Sequence, residues 1–243
     1  MKKLNPRMLS VLLTGVVVVV MFFIFNDEED IENIVARDVV THVGESESKP
    51  KPQVVVPKST LPMTTYLLPF SNSEIRVEPT THIVLHFSSS ALNKPEDPYQ
   101  VADVYNILKK YGVSVHYIID RSGEIHQLTY EDRVAYHAGE GIIKGYPEYN
   151  LGLNHYSIGI ELLAIGTREE MIPIIDEVNF NKIDPSLLGY TEEQYATLTI
   201  LIDDIIDRNP GILNNRLHVV GHDEYTDRKT DPGSLFDWEK IGF

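Results

Sequence analysis

The chain has 243 residues, of which 42% are hydrophobic and 23% charged: enough apolar side chain for a globular core, and too much for wholesale disorder. Its 36 acidic and 21 basic residues leave a formal charge of −15, which excludes the basic footprint of a nucleic-acid binder. With no cysteine, disulfides, iron–sulfur clusters, thiolate metal sites and cysteine nucleophiles are excluded, so a transition-metal site must draw on the nine histidines and on carboxylates.

Residues 1–7 carry Lys2, Lys3 and Arg7, and residues 8–25 are almost wholly apolar, with Ser10 and Thr14 the only polar side chains. About 18 residues is the lower end of a membrane-spanning helix. The run ends in Met21-Phe22-Phe23-Ile24-Phe25, without the small residues that signal-peptide cleavage needs. The reading is an uncleaved transmembrane signal-anchor over residues 1–25. Basic residues ahead of it place the N-terminus in the cytoplasm and the rest outside, as a single-pass cell-membrane protein; cleavage and secretion is the lesser alternative. Residues 26–79 show no sustained period, and the charged, Pro-containing stretch 45–52 reads as an extracytoplasmic linker. Apolar patches at 54–56 and 66–68 read as strands added to a domain edge. The chain has no internal repeat.

From residue 80 the pattern sharpens. Residues 83–87 read as a buried strand. Asp97-Pro98 opens a predicted helix with Val101, Val104, Tyr105 and Leu108 as its apolar stripe and Gly112 as its stop. Residues 116–119 and 124–128 flank Asp120-Arg121-Ser122-Gly123, a hairpin signal. Residues 156–163 form another predicted strand. Thr191 and Gln194 make a capping box for a helix burying Tyr195, Leu198, Ile202 and Ile205. Residues 217–220 form a last short strand. Strands alternate with helices, so the expected class is α/β, a central mixed sheet flanked by helices, in one domain over residues 80–243.

A catalytic zinc site takes about three protein ligands and keeps one position open. His86 ends a buried strand ahead of Ser88-Ser89-Ser90, and His222 ends another, with Asp223, Glu224 and Asp231 close behind. A single strand histidine is more often a core or surface residue than a ligand, and spacing alone leaves that reading open. His42 and His82 read as surface residues, His116 and His126 as structural hydrogen-bonding groups, and His155 and His218 as undecided.

The run Gly221-His222, then Arg228-Lys229-Thr230-Asp231-Pro232-Gly233, then Phe236-Asp237-Trp238 closely resembles the C-terminal motif of the zinc-dependent N-acetylmuramoyl-L-alanine amidases, whose fold is shared with peptidoglycan recognition proteins. Four further segments match in order: residues 83–86, residues 113–117, Tyr136-His137-Ala138-Gly139, and the stretch 154–162, which is similar to the family's N-x-x-S-I-G-I-E. The resemblance covers residues 80–243. It implies His86, His222 and Asp231 as ligands of Zn2+, Glu161 as the catalytic carboxylate, Lys229 as the catalytic lysine, and His137 and Asn154 as residues lining the substrate groove. It implies hydrolysis of the amide between N-acetylmuramic acid and L-alanine, with peptidoglycan or a muropeptide as substrate and the chain acting as a monomer. Tyr136 departs from the family's Trp, and Phe87 and Ser88 stand where relatives often have His or Asn and Thr. Glu161 interrupts the apolar run 158–163, where a charge is costly unless it has a purpose. The long connection 166–189 has no function assigned by its residues. A non-catalytic peptidoglycan-binding receptor on the same fold is the alternative, disfavoured because all three ligand positions are kept. An amidase acting on small muropeptides for recycling is another.

Overall fold

The strand His82–Ser88 (β3) is buried along its whole length, and so is Ser157–Leu163 (β7), its parallel partner in register from His82 opposite Ser157 to Ser88 opposite Leu163. Both runs are too apolar for a half-solvated strand and need cover on both faces. The computed structural model describes residues 53–146, 149 and 152–243. The expected signal-anchor, His42 and residues 26–52 of the linker lie outside the described residues; among the described residues, no helix is long and apolar enough to cross a membrane.

β3 and β7 are central in a six-stranded mixed sheet of order β1-β5-β4-β7-β3-β8. Its other strands are Thr64–Thr65 (β1), Tyr117–Ile119 (β4), Ile125–Gln127 (β5) and Val219–Gly221 (β8). The β4–β5 pair is antiparallel, as the hairpin signal predicts, while β4–β7, β3–β8 and β1–β5 are parallel. Ser73–Ile75 (β2) and Arg133–Ala135 (β6) form a separate antiparallel pair.

The two-residue period of a strand sorts side chains by face. Ile83, Leu85, Ile158, Ile160 and Leu162 share a cluster with Leu198, Ile202 and Ile205 of helix Glu192–Arg208, here α3. Its capping box is formed as expected: Gln194 N donates to Thr191 Oγ1 (3.1 Å) and Thr191 N to Gln194 Oε1 (3.0 Å). On the opposite face, helix Val101–Tyr111 (α1) packs Val104 and Leu108 against Ile118 and Leu163. It ends at Gly112 with φ +69°, a conformation cheap only for glycine. Its start differs from expectation. The first helical residue is Val101, because Asp97 spends its carboxylate on the Gln100 side chain (3.0 Å) and the Pro98 carbonyl accepts from Ser90 N.

The folded unit reaches further toward the N-terminus than residue 80. Thr64–Thr65 joins the sheet edge, Leu68 enters the α1 core, and Arg76 is wholly buried. The Arg76 guanidinium donates to the carbonyls of Glu131 (2.8 Å), His155 (2.7 Å), Arg133 (3.0 Å) and Ser157 (2.8 Å). This tie between β6, β7 and the residues before them has no periodic signature.

Candidate active site

Three parallel strands, β7, β3 and β8, lie side by side, and their carboxyl ends carry the predicted residues. Ligands of open α/β sheets bind at such ends. His86 sits on β3 directly opposite Glu161 on β7, and His222 follows β8 by one residue. Strand alternation puts both His86 and Glu161 on the face away from α3.

His86, His222 and Asp231 converge. His86 Nδ1 lies 2.7 Å and His222 Nδ1 3.1 Å from the same Asp231 Oδ2, and all three side chains are buried. Asp231 is held in place by its own carbonyl, which accepts from Asp223 N at 3.0 Å. The donor set fits a divalent metal. His222 Nε2 faces the Ala138 carbonyl at 2.9 Å, an acceptor, so that nitrogen donates and Nδ1 is the one turned to the carboxylate. Nδ1 of both rings and Oδ2 of Asp231 meet at one point, where a cation could take the place of the hydrogens that join them, and two imidazoles with one carboxylate suit zinc. Burial pushes His86 down to about 4, against the pull of Asp231. Burial also disfavours the Asp231 charge, but His222 and the bonds from both imidazoles outweigh it and hold the carboxyl far below the usual range.

Glu161 is fully buried, and neither of its carboxylate oxygens has a hydrogen-bond partner. Burial and then the Asp231 charge raise its pKa well above the ordinary value, with the Ser88 hydroxyl and Lys229 acting the other way. Lys229 is half-buried, and desolvation lowers it to about 8, with Asp231 and Glu161 both favouring its charged form. Five of the residues predicted from sequence therefore form one electrostatically coupled group.

The other two stand differently. His137 is wholly buried and packs behind His86, ring nitrogen to ring nitrogen at 3.0 Å. Burial first, then neighbouring histidines, keep its ring neutral. Asn154 is half-buried, and its Oδ1 accepts from His137 N (3.0 Å) and Ala138 N (2.8 Å), bracing backbone.

The connection 166–189 contains helix Arg168–Phe180 (α2), which buries Met171 and Ile175 against Phe87 and Ile165. Its Glu170 accepts from Thr167 N (2.7 Å) and reaches across to Ser234 N (2.8 Å), while Tyr190 Oη donates to the Pro232 carbonyl (2.5 Å). The connection braces the loop that carries Asp231. Neither contact was legible beforehand, because both cross about 40 residues or more of chain.

Among the described residues, His82, His116, His126 and His218 have structural partners. His82, expected at the surface, is buried and stacked on His218 at 5.2 Å, edge-on to Tyr146 at 4.7 Å. His116 accepts from Gly159 N at 3.0 Å, and His126 bonds Asp120 at 3.0 Å. Asp120, Glu124 and His126 also cluster, but Asp120 Oδ1 is already committed to the turn through Ser122 N, Ser122 Oγ and Glu124 N.

Two imidazoles and a carboxylate around one point, beside a buried carboxylate without a partner, outline a candidate metal site. Comparison with known proteins then gives the family. A model of N-acetylmuramoyl-L-alanine amidases (Amidase_2) matches residues 76–234, more than half of the chain, and the chain belongs to that family. It is 36% identical over 130 residues to the 1,6-anhydro-N-acetylmuramyl-L-alanine amidase AmpD of Citrobacter freundii, covering 53% of this chain and 55% of that protein. It is 33% identical over 156 residues to AmpD of Haemophilus influenzae, covering 63% and 67%. The chain thus spans about half the length of most of the curated relatives it matches. A crystal structure of a selenomethionine AmpD derivative superposes with a TM-score of 0.52 at 27% identity, covering 74% of this chain and 92% of that one.

Proposed function

We propose that this protein hydrolyses the amide joining the lactyl carbonyl of N-acetylmuramic acid to L-alanine, with zinc bound by His86, His222 and Asp231. The observation that carries the reading is Glu161: a buried carboxylate with no partner, opposite a ligand histidine, is costly to keep for stability alone. Bound zinc would lower the pKa of water and polarise the carbonyl. Glu161, with its raised proton affinity, takes the proton of the attacking water and delivers it to the leaving nitrogen. Lys229, lowered to about 8 and still largely protonated at neutral pH, donates to the carbonyl oxygen as negative charge develops there. Burial of the group excludes bulk water and strengthens both interactions.

The relatives' names favour 1,6-anhydro-muropeptides as substrates, which supports small wall fragments over intact wall. The apolar run 8–25 supports an anchored protein acting outside the cytoplasm. Comparing release of new L-alanine amino termini from soluble 1,6-anhydro-muropeptides and from intact sacculi tests the substrate reading. Faster release from the fragments is expected. Sacculus binding without any release, by a protein that also leaves fragments intact, would favour a non-catalytic receptor.

A further inference from the structure

Strand alternation puts Ser157 and Gly159 on the same face of β7 as Glu161, and that face receives the His137 ring. Asn154, Ser157 and Gly159 all touch His137. Asn154 Oδ1 accepts from His137 N and Ala138 N, at 3.0 and 2.8 Å. Ser157 Oγ lies 3.2 Å from His137 Nε2. A Cβ on Gly159 would stand 2.6 Å from the ring's Cγ, so only glycine leaves room for it. The far side of the ring, Nδ1, meets His86 Nε2 at 3.0 Å.

With a cation at His86 Nδ1, the hydrogens along this line can be counted. The Ser157 hydroxyl donates to the Leu153 carbonyl at 2.7 Å, so its oxygen is left to accept. It accepts from His137 Nε2–H. A neutral imidazole has one N–H, so His137 Nδ1 accepts from His86 Nε2–H, and His86 Nδ1 is left to share the cation with Asp231 Oδ2, 2.7 Å away. Without a cation, a hydrogen between His86 Nδ1 and the carboxylate takes that place. His222 Nε2 donates to the Ala138 carbonyl, which turns its Nδ1 to the same point.

We infer that His137 is a positioning residue: seated by Asn154, Ser157 and Gly159, it locks His86 in the tautomer and orientation that present Nδ1 to the metal. The inference rests on the metal-site reading above. It gives the N-x-x-S-I-G-I-E run a single logic, in which the last acidic residue serves the reaction and the residues before it seat a ligand's neighbour. Partners of this kind fix ring orientation in metal sites, and their loss costs roughly 10–100-fold in affinity.

Two measurements on the full chain test this. The first is the imidazole 15N spectrum of the histidine-labelled protein with one equivalent of zinc. His86 and His137 are expected as Nε2–H forms in the wild type, with the His137 form lost to a mixture in Ser157→Ala; an Nδ1–H form of His137 in the wild type would overturn the inference. The second is zinc affinity by competition with a chromophoric chelator. Ser157→Ala and His137→Phe are expected to weaken zinc about 10–100-fold. Ile158→Val, a cavity on the α3 face of the same strand, is expected to leave it unchanged. Folded Ser157→Ala with wild-type zinc affinity, or equal weakening by Ile158→Val, would contradict the relay. A wild type that binds no zinc would sink the metal-site reading, and the inference with it, whereas a zinc-binding wild type whose Ser157→Ala and His137→Phe variants bind equally well would sink the inference alone.

Discussion

Arg76 and Glu161 are both wholly buried side chains of charged type, and they are treated in opposite ways. Arg76 lies by the amino end of β7, where four backbone carbonyls receive its guanidinium. Even there burial lowers its pKa to about 10, against the pull of Glu131 and Asp132. Glu161 lies toward the carboxyl end of the same strand, and neither of its oxygens is bonded. A satisfied buried charge ties elements together; an unsatisfied one is a standing cost to the fold that chemistry can use. The same contrast separates the histidines. His218 donates to the Thr81 carbonyl (2.7 Å) and meets Tyr146 Oη (2.8 Å), whereas His86 and His222 crowd one carboxylate oxygen. Burial alone does not mark a functional histidine; the company its nitrogens keep does.

The comparison can be broken most sharply at Glu161. Glu161→Gln is expected to lower amide hydrolysis by about 10²–10⁴-fold, the usual worth of a general base, while the protein folds and melts no lower than wild type. Retained activity, or a large fall in melting temperature, would make Glu161 structural. Next in size is Lys229→Met, with an expected loss of about 10²–10³-fold in kcat and a smaller change in KM, since the lysine acts on charge that develops during the reaction. A change confined to KM would assign it to substrate binding.

Arg76→Met should do the reverse of Glu161→Gln. Stranding four carbonyls and losing the tie between β6 and β7 is expected to cost about 3–5 kcal/mol by denaturant unfolding. Activity per folded molecule should survive. Loss of activity at full stability would show that the two ends of β7 are not separable.

The smallest effect is a pH dependence. Burial lowers His82 to about 4 and His116 to about 3, from an unfolded value near 6.5. The folded form therefore binds fewer protons than the unfolded chain as the pH falls below 6.5. Their contribution is complete above pH 6.5 and is lost toward pH 4 for His82 and pH 3 for His116. The slope is at most about 1.4 kcal/mol per pH unit for each ring. Glu161, raised by burial, works in the opposite sense. The readout is thus the difference between wild type and His82→Phe in melting temperature at pH 7 and pH 5. The variant is expected to lose less on acidification, and equal losses would remove His82 from the acid limb.

The sheet was largely legible in the sequence because its strands are short apolar runs bounded by strong signals: the Asp120–Gly123 turn, the Thr191–Gln194 box and the Gly112 stop. The candidate ligands, Glu161 and Lys229 were legible through ordered motifs, which place residues 145 apart against each other as no periodicity can. What stayed hidden depends on contacts between distant segments. Arg76 reads as part of a linker because its carbonyl partners come from three later segments. His82 reads as a strand edge because its cover, Tyr146 and His218, arrives from elsewhere. The bracing of the Asp231 loop by Glu170 and Tyr190, and the place of His137 behind His86, appear only when α2 and β7 are set in space.

The most direct test of the account is amide hydrolysis by the full chain on purified 1,6-anhydro-muropeptide, with and without a chelator and with zinc added back. The account predicts new L-alanine amino termini, lost with the chelator, restored by zinc, and formed about 10²–10⁴-fold more slowly by Glu161→Gln. Hydrolysis that persists in chelator, or termini released equally by Glu161→Gln, would contradict it.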